Sequence, residues 1–184
     1  MNNIKVIILA GGYGTRLGRL TNDVPKPMVR IGSYPILWHI MKIYSHWGFK
    51  DFIIPLGYKS YVIKDYFCNY KNHVSDFTVD LQKNEIVYEN KENFEDWRVS
   101  LINTGTKTLK GGRLKRIEKY LDNDVNMLTY GDGLADINLK NLLNFHKSHG
   151  KIITISGVRP PARFGELTEE KKLVTTFDEK PQSS

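Results

Sequence analysis

Lys5-Val-Ile-Ile-Leu-Ala-Gly-Gly-Tyr-Gly-Thr-Arg-Leu17 begins with a continuous apolar run at residues 5–10 and breaks abruptly into glycine. A run of that length, stopped by Gly11-Gly12, is the pattern of a strand buried on both faces, which a parallel sheet flanked by helices produces. The same pattern returns down the chain. From Pro35, the apolar residues Ile36, Leu37, Ile40, Met41, Tyr44 and Trp47 recur at helical spacing, with Gly48 placed just past the end. Residues 51–56 read as a second buried strand closed by Gly57, and residues 62–70 as a weaker helix. Leu114, Ile117 and Leu121 mark a helix after Gly111-Gly112, and residues 125–130 a strand that ends at Gly131-Asp-Gly133. Leu139, Leu142, Leu143 and His146 trace a helix that Gly150 ends, and residues 152–158 and 173–177 complete the strands. Between residues 74 and 103 the stretches are short and alternating, which predicts an antiparallel, β-rich insertion. Strands alternating with helices predict an α/β fold with helices on both faces of a mainly parallel sheet. Ligands of such sheets sit beyond the carboxyl ends of the strands. Gly11-Gly12 and Gly131-Asp-Gly133 both stand at such ends.

The 184 residues fit one domain, residues 1–184, and 40% hydrophobic residues supply a full core. No apolar run reaches the ~20 residues of a membrane-spanning helix, and the first one is too short for a secretory signal. Cys68 is the lone cysteine, so the expectation is a chain without an intrachain disulfide, in the reducing cytoplasm. Lys and Arg number 27 against 20 Asp and Glu, giving a formal charge of +7. The basic residues are mostly interleaved with acids, as in Glu169-Glu-Lys-Lys172. The exception is Lys107, Lys110, Arg113, Lys115 and Arg116, a cluster suited to a polyphosphate or to a nucleic-acid backbone.

The glycine loop carries the next inference. Glycines after a strand let backbone approach a ligand and aim N–H groups at anionic oxygens. A dinucleotide fingerprint needs a third glycine where Leu17 stands, and a Walker loop needs a Gly-Lys-Ser/Thr that is absent. A plain strand-to-loop turn fits the loop alone, as an extended surface turn fits Pro25-Lys-Pro27 alone. Together they place Arg16 and a proline-stiffened Lys26 beside a glycine cradle, as phosphoryl or nucleotidyl transfer requires.

Leu9-Ala-Gly-Gly-Tyr-Gly-Thr-Arg-Leu17 followed by Pro25-Lys-Pro-Met28 resembles the signature of the sugar-1-phosphate nucleotidylyltransferases, which join a nucleoside triphosphate and a sugar phosphate. The similarity continues through Gly131-Asp-Gly133 and Asp178-Glu-Lys-Pro181. Pro35-Ile-Leu-Trp-His-Ile-Met41, Trp97-Arg-Val-Ser-Leu-Ile-Asn-Thr-Gly105, Gly111-Gly-Arg-Leu-Lys-Arg116 and Arg159-Pro-Pro-Ala-Arg-Phe-Gly165 narrow it to the glucose-1-phosphate cytidylyltransferase branch. The resemblance implies a three-layer αβα, Rossmann-like nucleotide-diphospho-sugar transferase fold. It implies CTP and α-D-glucose 1-phosphate as substrates, with CDP-glucose and pyrophosphate as products.

The resemblance also implies residue roles. Leu9, Ala10, Gly11 and Gly12 would line the nucleotide site; Gly14, Thr15 and Arg16 would hold the triphosphate. Lys26 would bind phosphate oxygens and, with Arg16, act in catalysis. Thr108, Arg113 and Gly131 would contact the nucleotide, and Asp132 would bind Mg2+. Glu179 and Lys180 would meet the sugar phosphate. Read without the family, Asp132-Gly133 and Glu179-Lys180-Pro181 are also ordinary turns. A homo-oligomer is implied, with no nucleic-acid or membrane partner. The five histidines form no metal-ligand spacing. Asn103 stands where the family carries an aspartate. Relatives run on past the position of Gln182-Ser-Ser184 with more of the sugar site and a second metal-binding aspartate, so the expectation is a domain truncated at its C-terminus. The alternatives are an enzyme using another nucleoside triphosphate or sugar phosphate, and a non-catalytic nucleotide-binding module.

Overall fold

In the computed structural model, which describes residues 4–14, 24–89, 94–122, 124–158 and 164–179, the first apolar run forms strand β1 (Lys5–Leu9). Short strands β2 (Arg30–Ile31) and β3 (Tyr34–Pro35) pair antiparallel, and helix α1 (Ile36–His46) follows directly. Gly48 takes a left-handed φ of +89° and turns the chain into β4 (Asp51–Leu56). α2 (Ser60–Cys68) and α3 (Tyr70–Val74) lead to the hairpin β5 (Phe77–Asp80) and β6 (Glu85–Tyr88). β7 (Arg98–Asn103), α4 (Lys110–Ile117) and β8 (Met127–Tyr130) follow, and α5 (Leu139–His149) ends at Gly150. The hairpin β9 (Glu166–Glu170) and β10 (Leu173–Asp178) comes last.

The chain clusters into two units, Met1–Leu139 and Lys140–Ser184. The first is built on a four-stranded sheet in the order β7-β4-β1-β8, parallel throughout. β1 lies inside it with both edges paired, and Val6 and Ile8 are fully buried. One face carries Ile7 and Ile53 against Ile117 of α4, with Leu9, Ile102 and Leu114 partly buried around them. The alternate residues Val6, Ile8, Phe52 and Ile54 are buried on the other face, and Leu37, Ile40 and Met41 of α1 join the core. This agrees with the α/β class expected from the sequence. In the second unit, β9 and β10 are exposed along their whole length, and the Thr154 hydroxyl lies 2.8 Å from both His146 Nδ1 and His149 Nε2 on α5. No helix among the described residues is long and apolar enough to cross a membrane.

Three local expectations need correction. β7 is not antiparallel: it pairs in parallel with β4 from Arg98↔Asp51 to Asn103↔Leu56, so of the strands described between residues 74 and 103 only the β5–β6 hairpin stands apart from the main sheet. Its residues are half-buried or exposed, as on a strand at the sheet's margin, and alternation in the sequence does not encode strand direction. Gly111 and Gly112 lie within α4 rather than before it. Residues 152–158 form no strand, although they alternate in polarity; Ile152, Ile153, Ile155 and Val158 are exposed.

Candidate functional site

The carboxyl ends of β1, β7 and β8 open into a cleft of about 560 Å³. Its floor is the glycine loop. Gly11 passes so near its neighbours that a Cβ there would lie 2.3 Å from the Arg113 guanidinium. Gly131, just beyond β8, donates its N–H to Leu9 O at 3.0 Å, and a Cβ there would stand 2.9 Å from that same carbonyl. Only glycine permits these approaches.

Arg113 ties the strand ends together. Its side chain rises from α4, is 4% exposed, and donates to Gly11 O at 2.8 Å, Leu56 O at 2.9 Å and Gly105 O at 2.9 Å. Thr104 Oγ1 at 2.7 Å and Thr106 O at 3.3 Å complete the set. Every one of these partners is a neutral oxygen. Burial first, then the nearby Arg116 cation, hold its pKa below the usual guanidinium range. The same head group explains Gly57, where a Cβ would meet Gly11 O at 2.5 Å and Arg113 Nη1 at 2.6 Å. Thr104 is fully buried and donates from both N and Oγ1 to Leu56 O, at 2.9 and 2.7 Å. Asn103 Oδ1 accepts the Gly105 amide at 3.0 Å and shapes the turn that leaves β7.

At the mouth, Lys26 sits on a single 3-10 turn, Lys26–Met28, whose Pro27 and Met28 are buried. Its Nζ donates to Asp132 Oδ2 at 2.5 Å, with the two side chains 29% and 35% exposed. This cation and carboxylate are 106 residues apart in sequence. A half-solvated pair of this kind contributes under ~1 kcal/mol to folding, so its placement serves the cleft more than the core. Asp132 is a hard oxygen donor with one oxygen engaged by Lys26. Among the described residues no group of three or more His, Cys, Asp or Glu could hold a metal. A lone carboxylate fits Mg2+, which is commonly held by one or two carboxylates together with phosphate and water oxygens.

The sequence model of the nucleotidyl transferase family matches residues 5–184. The chain belongs to the nucleotidyl transferase family. Within it, the chain is 51% identical over 180 residues to a glucose-1-phosphate cytidylyltransferase of Salmonella typhi, covering 97% of this chain and 70% of the relative. A probable glucose-1-phosphate cytidylyltransferase of Bacillus subtilis is 42% identical over 180 residues, covering 98% and 70%. Among solved structures, HddC from Yersinia pseudotuberculosis complexed with GMP-PN aligns with a TM-score of 0.63 and 27% identity, covering 96% of this chain and 69% of that one. A UDP-glucose pyrophosphorylase, 17% identical with a TM-score of 0.56, shares the fold.

In this nucleotidyl transferase, ten of the residues singled out from sequence line the one cleft: Leu9, Ala10, Gly11, Gly12, Gly14, Lys26, Thr108, Arg113, Gly131 and Asp132. Thr15, Arg16 and Lys180 lie outside the described residues. Glu179 follows β10 in the second unit and is exposed. Sequence reasoning missed Tyr13, Thr106 and Tyr130, which also line the cleft. Tyr130 was legible as the residue before Gly131; Lys110, which donates to its hydroxyl at 3.2 Å, was noted only as part of a basic cluster.

Proposed function

We propose that this chain joins CTP to α-D-glucose 1-phosphate, giving CDP-glucose and pyrophosphate. The observation that carries the reading is the cleft in which the glycine loop, Lys26 and Asp132 converge at the ends of β1 and β8. The family membership and the names of the relatives at 51% and 42% identity supply the substrate class. A phosphate oxygen of the sugar phosphate attacks the α-phosphorus of CTP. A new P–O bond forms, the α–β bridging P–O bond breaks, and pyrophosphate leaves with the electron pair.

The chain's own groups position and neutralise. Backbone N–H groups of the glycine loop face the phosphates, as anion-binding turns do. Lys26 keeps two ammonium protons beyond the one given to Asp132, enough to bridge phosphate oxygens as charge moves toward pyrophosphate. Arg16 would add a planar cation, Thr15 and Gly14 would hold the triphosphate, and Glu179 and Lys180 would meet the sugar phosphate. Asp132 would hold Mg2+, which supplies charge neutralisation on the triphosphate when bound. Thr108 and Arg113 would contact CTP, and Gly131 would approach the nucleotide. We read both units as parts of one nucleotidylyltransferase domain, since the family match runs through both. A cytoplasmic place rests on the lone Cys68, and a homo-oligomer on the family resemblance.

The test is incubation of the chain with CTP, glucose 1-phosphate and Mg2+, with CDP-glucose and pyrophosphate measured together. Equal amounts of both are expected. A product from another triphosphate but not from CTP refutes the substrate assignment; CTP binding with no product favours a binding module.

A further inference from the structure

Thr108 stands between β7 and α4 on the cleft wall. Arg116 donates from Nη1 to Thr108 Oγ1 at 2.9 Å and to Thr104 O at 2.5 Å. Gly105, at a left-handed φ of +85°, leaves room for this contact; a Cβ there would lie 2.7 Å from Arg116 Nη1 and 3.0 Å from Thr108 Oγ1. On the other side a Cβ on Gly112 would lie 2.9 Å from Thr108 Cγ2. The hydroxyl is therefore turned to Arg116 and the methyl to Gly112. A guanidinium only donates, so Thr108 Oγ1 must accept and its own proton is left to give. No acceptor for that proton is found among the described residues.

We propose that Arg116 is a positioning residue that makes Thr108 a hydrogen-bond donor to the pyrimidine edge of the nucleotide, favouring cytosine over uracil. The proposal rests on the reading of the cleft as a CTP site. With phosphates at Lys26 and Asp132, beyond β8, the base extends toward β7. β4 and β1 stand between β7 and β8 in the sheet, so the two strand ends, beyond which Thr108 and Asp132 follow in their loops, are about 14 Å apart. That span suits a nucleoside with its first phosphate. Cytosine offers unprotonated N3 and O2 as acceptors; uracil has an N3–H in place of the first. Thr108 retains a second lone pair, but the guanidinium polarises the hydroxyl into a stronger donor and a poorer acceptor. Arg116 itself is exposed on α4 and does not line the cleft, so it acts through Thr108.

Calorimetric titration of the whole chain with CTP and with UTP, each with Mg2+, tests this. The ratio Kd(UTP)/Kd(CTP) is expected to fall by about tenfold in Thr108→Val and in Arg116→Ala, the loss of about one good hydrogen bond. Thr108→Ser, which keeps the hydroxyl, retains most of the preference, and adding Arg116→Ala to Thr108→Val lowers the ratio no further. Should Arg116→Ala fail to fold, Arg116→Met, which keeps the apolar stem and removes the donors to Thr108 Oγ1, takes its place. A CTP preference that survives Thr108→Val, or additive effects of the two substitutions, overturns the proposal and leaves the CTP reading standing. A wild-type chain with no CTP preference overturns both.

Discussion

Replacing Arg113 with Met keeps the length of the side chain and removes every donor. Leu56 O would keep its bonds from Thr104 N and Oγ1, and Gly11 O would keep the Tyr58 amide at 3.3 Å. Gly105 O and Thr106 O would be left without a partner among the described residues. Each stranded, part-buried carbonyl costs about 1–3 kcal/mol, and removing a desolvated cation offsets part of that sum. The net expectation is a loss of about 2–4 kcal/mol, a large share of the ~5–15 kcal/mol that holds a domain together. Denaturant unfolding followed by far-UV circular dichroism should show a lower midpoint at an unchanged m value. In a melt, the Tm should drop by roughly 5–15 °C. Lys115→Met, on the same helix but paired with Glu118 at a site where both side chains are exposed, is the control and should stay within about 0.5 kcal/mol of wild type. An Arg113→Met loss below about 1 kcal/mol would refute the reasoning, because the carbonyls would then be satisfied without the guanidinium.

Lys26→Ala should lower turnover by about a hundredfold or more while shifting stability by under ~1 kcal/mol, since its ion pair is partly solvated; a near-normal rate of pyrophosphate release would refute its role. Asp132→Asn should raise the Mg2+ concentration needed for half-maximal rate by about tenfold, read from a magnesium titration at saturating CTP, and an unchanged curve would remove Asp132 from the metal. Gly57→Ala drives a Cβ to 2.5 Å from Gly11 O and should destabilise the fold by about 1–3 kcal/mol. Gly12→Ala, with nothing within 4 Å of the added atom, should melt near wild type yet bind CTP more weakly, because the methyl enters the space the phosphates need.

The parts of the fold that rest on one-dimensional patterns were readable in advance. β1 and β4 announced themselves as unbroken apolar runs, and α1 by its spacing between Pro35 and Gly48, because burial on both faces of a sheet or along one stripe of a helix leaves a periodic record. Strand direction leaves none, so β7 was misjudged. Residues 152–158 have the alternation of a strand, but a strand also needs a ladder partner, which lies outside any local pattern. The site divides in the same way. Backbone cradles are visible as glycines, so Gly11, Gly12 and Gly131 were found. Lys26 was singled out as a proline-stiffened cation and Asp132 through family resemblance, but the bond between them bridges distant segments and was not foreseen. All but one of Arg113's acceptors are carbonyls, which every residue has, so no sequence signal could reveal where its guanidinium goes.

The guanidinium flanked by Gly11 and Gly57 leaves these three positions with a shared history. A methyl at residue 57 becomes harmless only after residue 113 has shrunk and the turn at residue 11 has relaxed, whereas a smaller residue at 113 alone leaves carbonyls stranded. Sequence drift at this spot is therefore blocked along single steps and open along concerted ones, so descendants of this chain should change the trio together or keep all three.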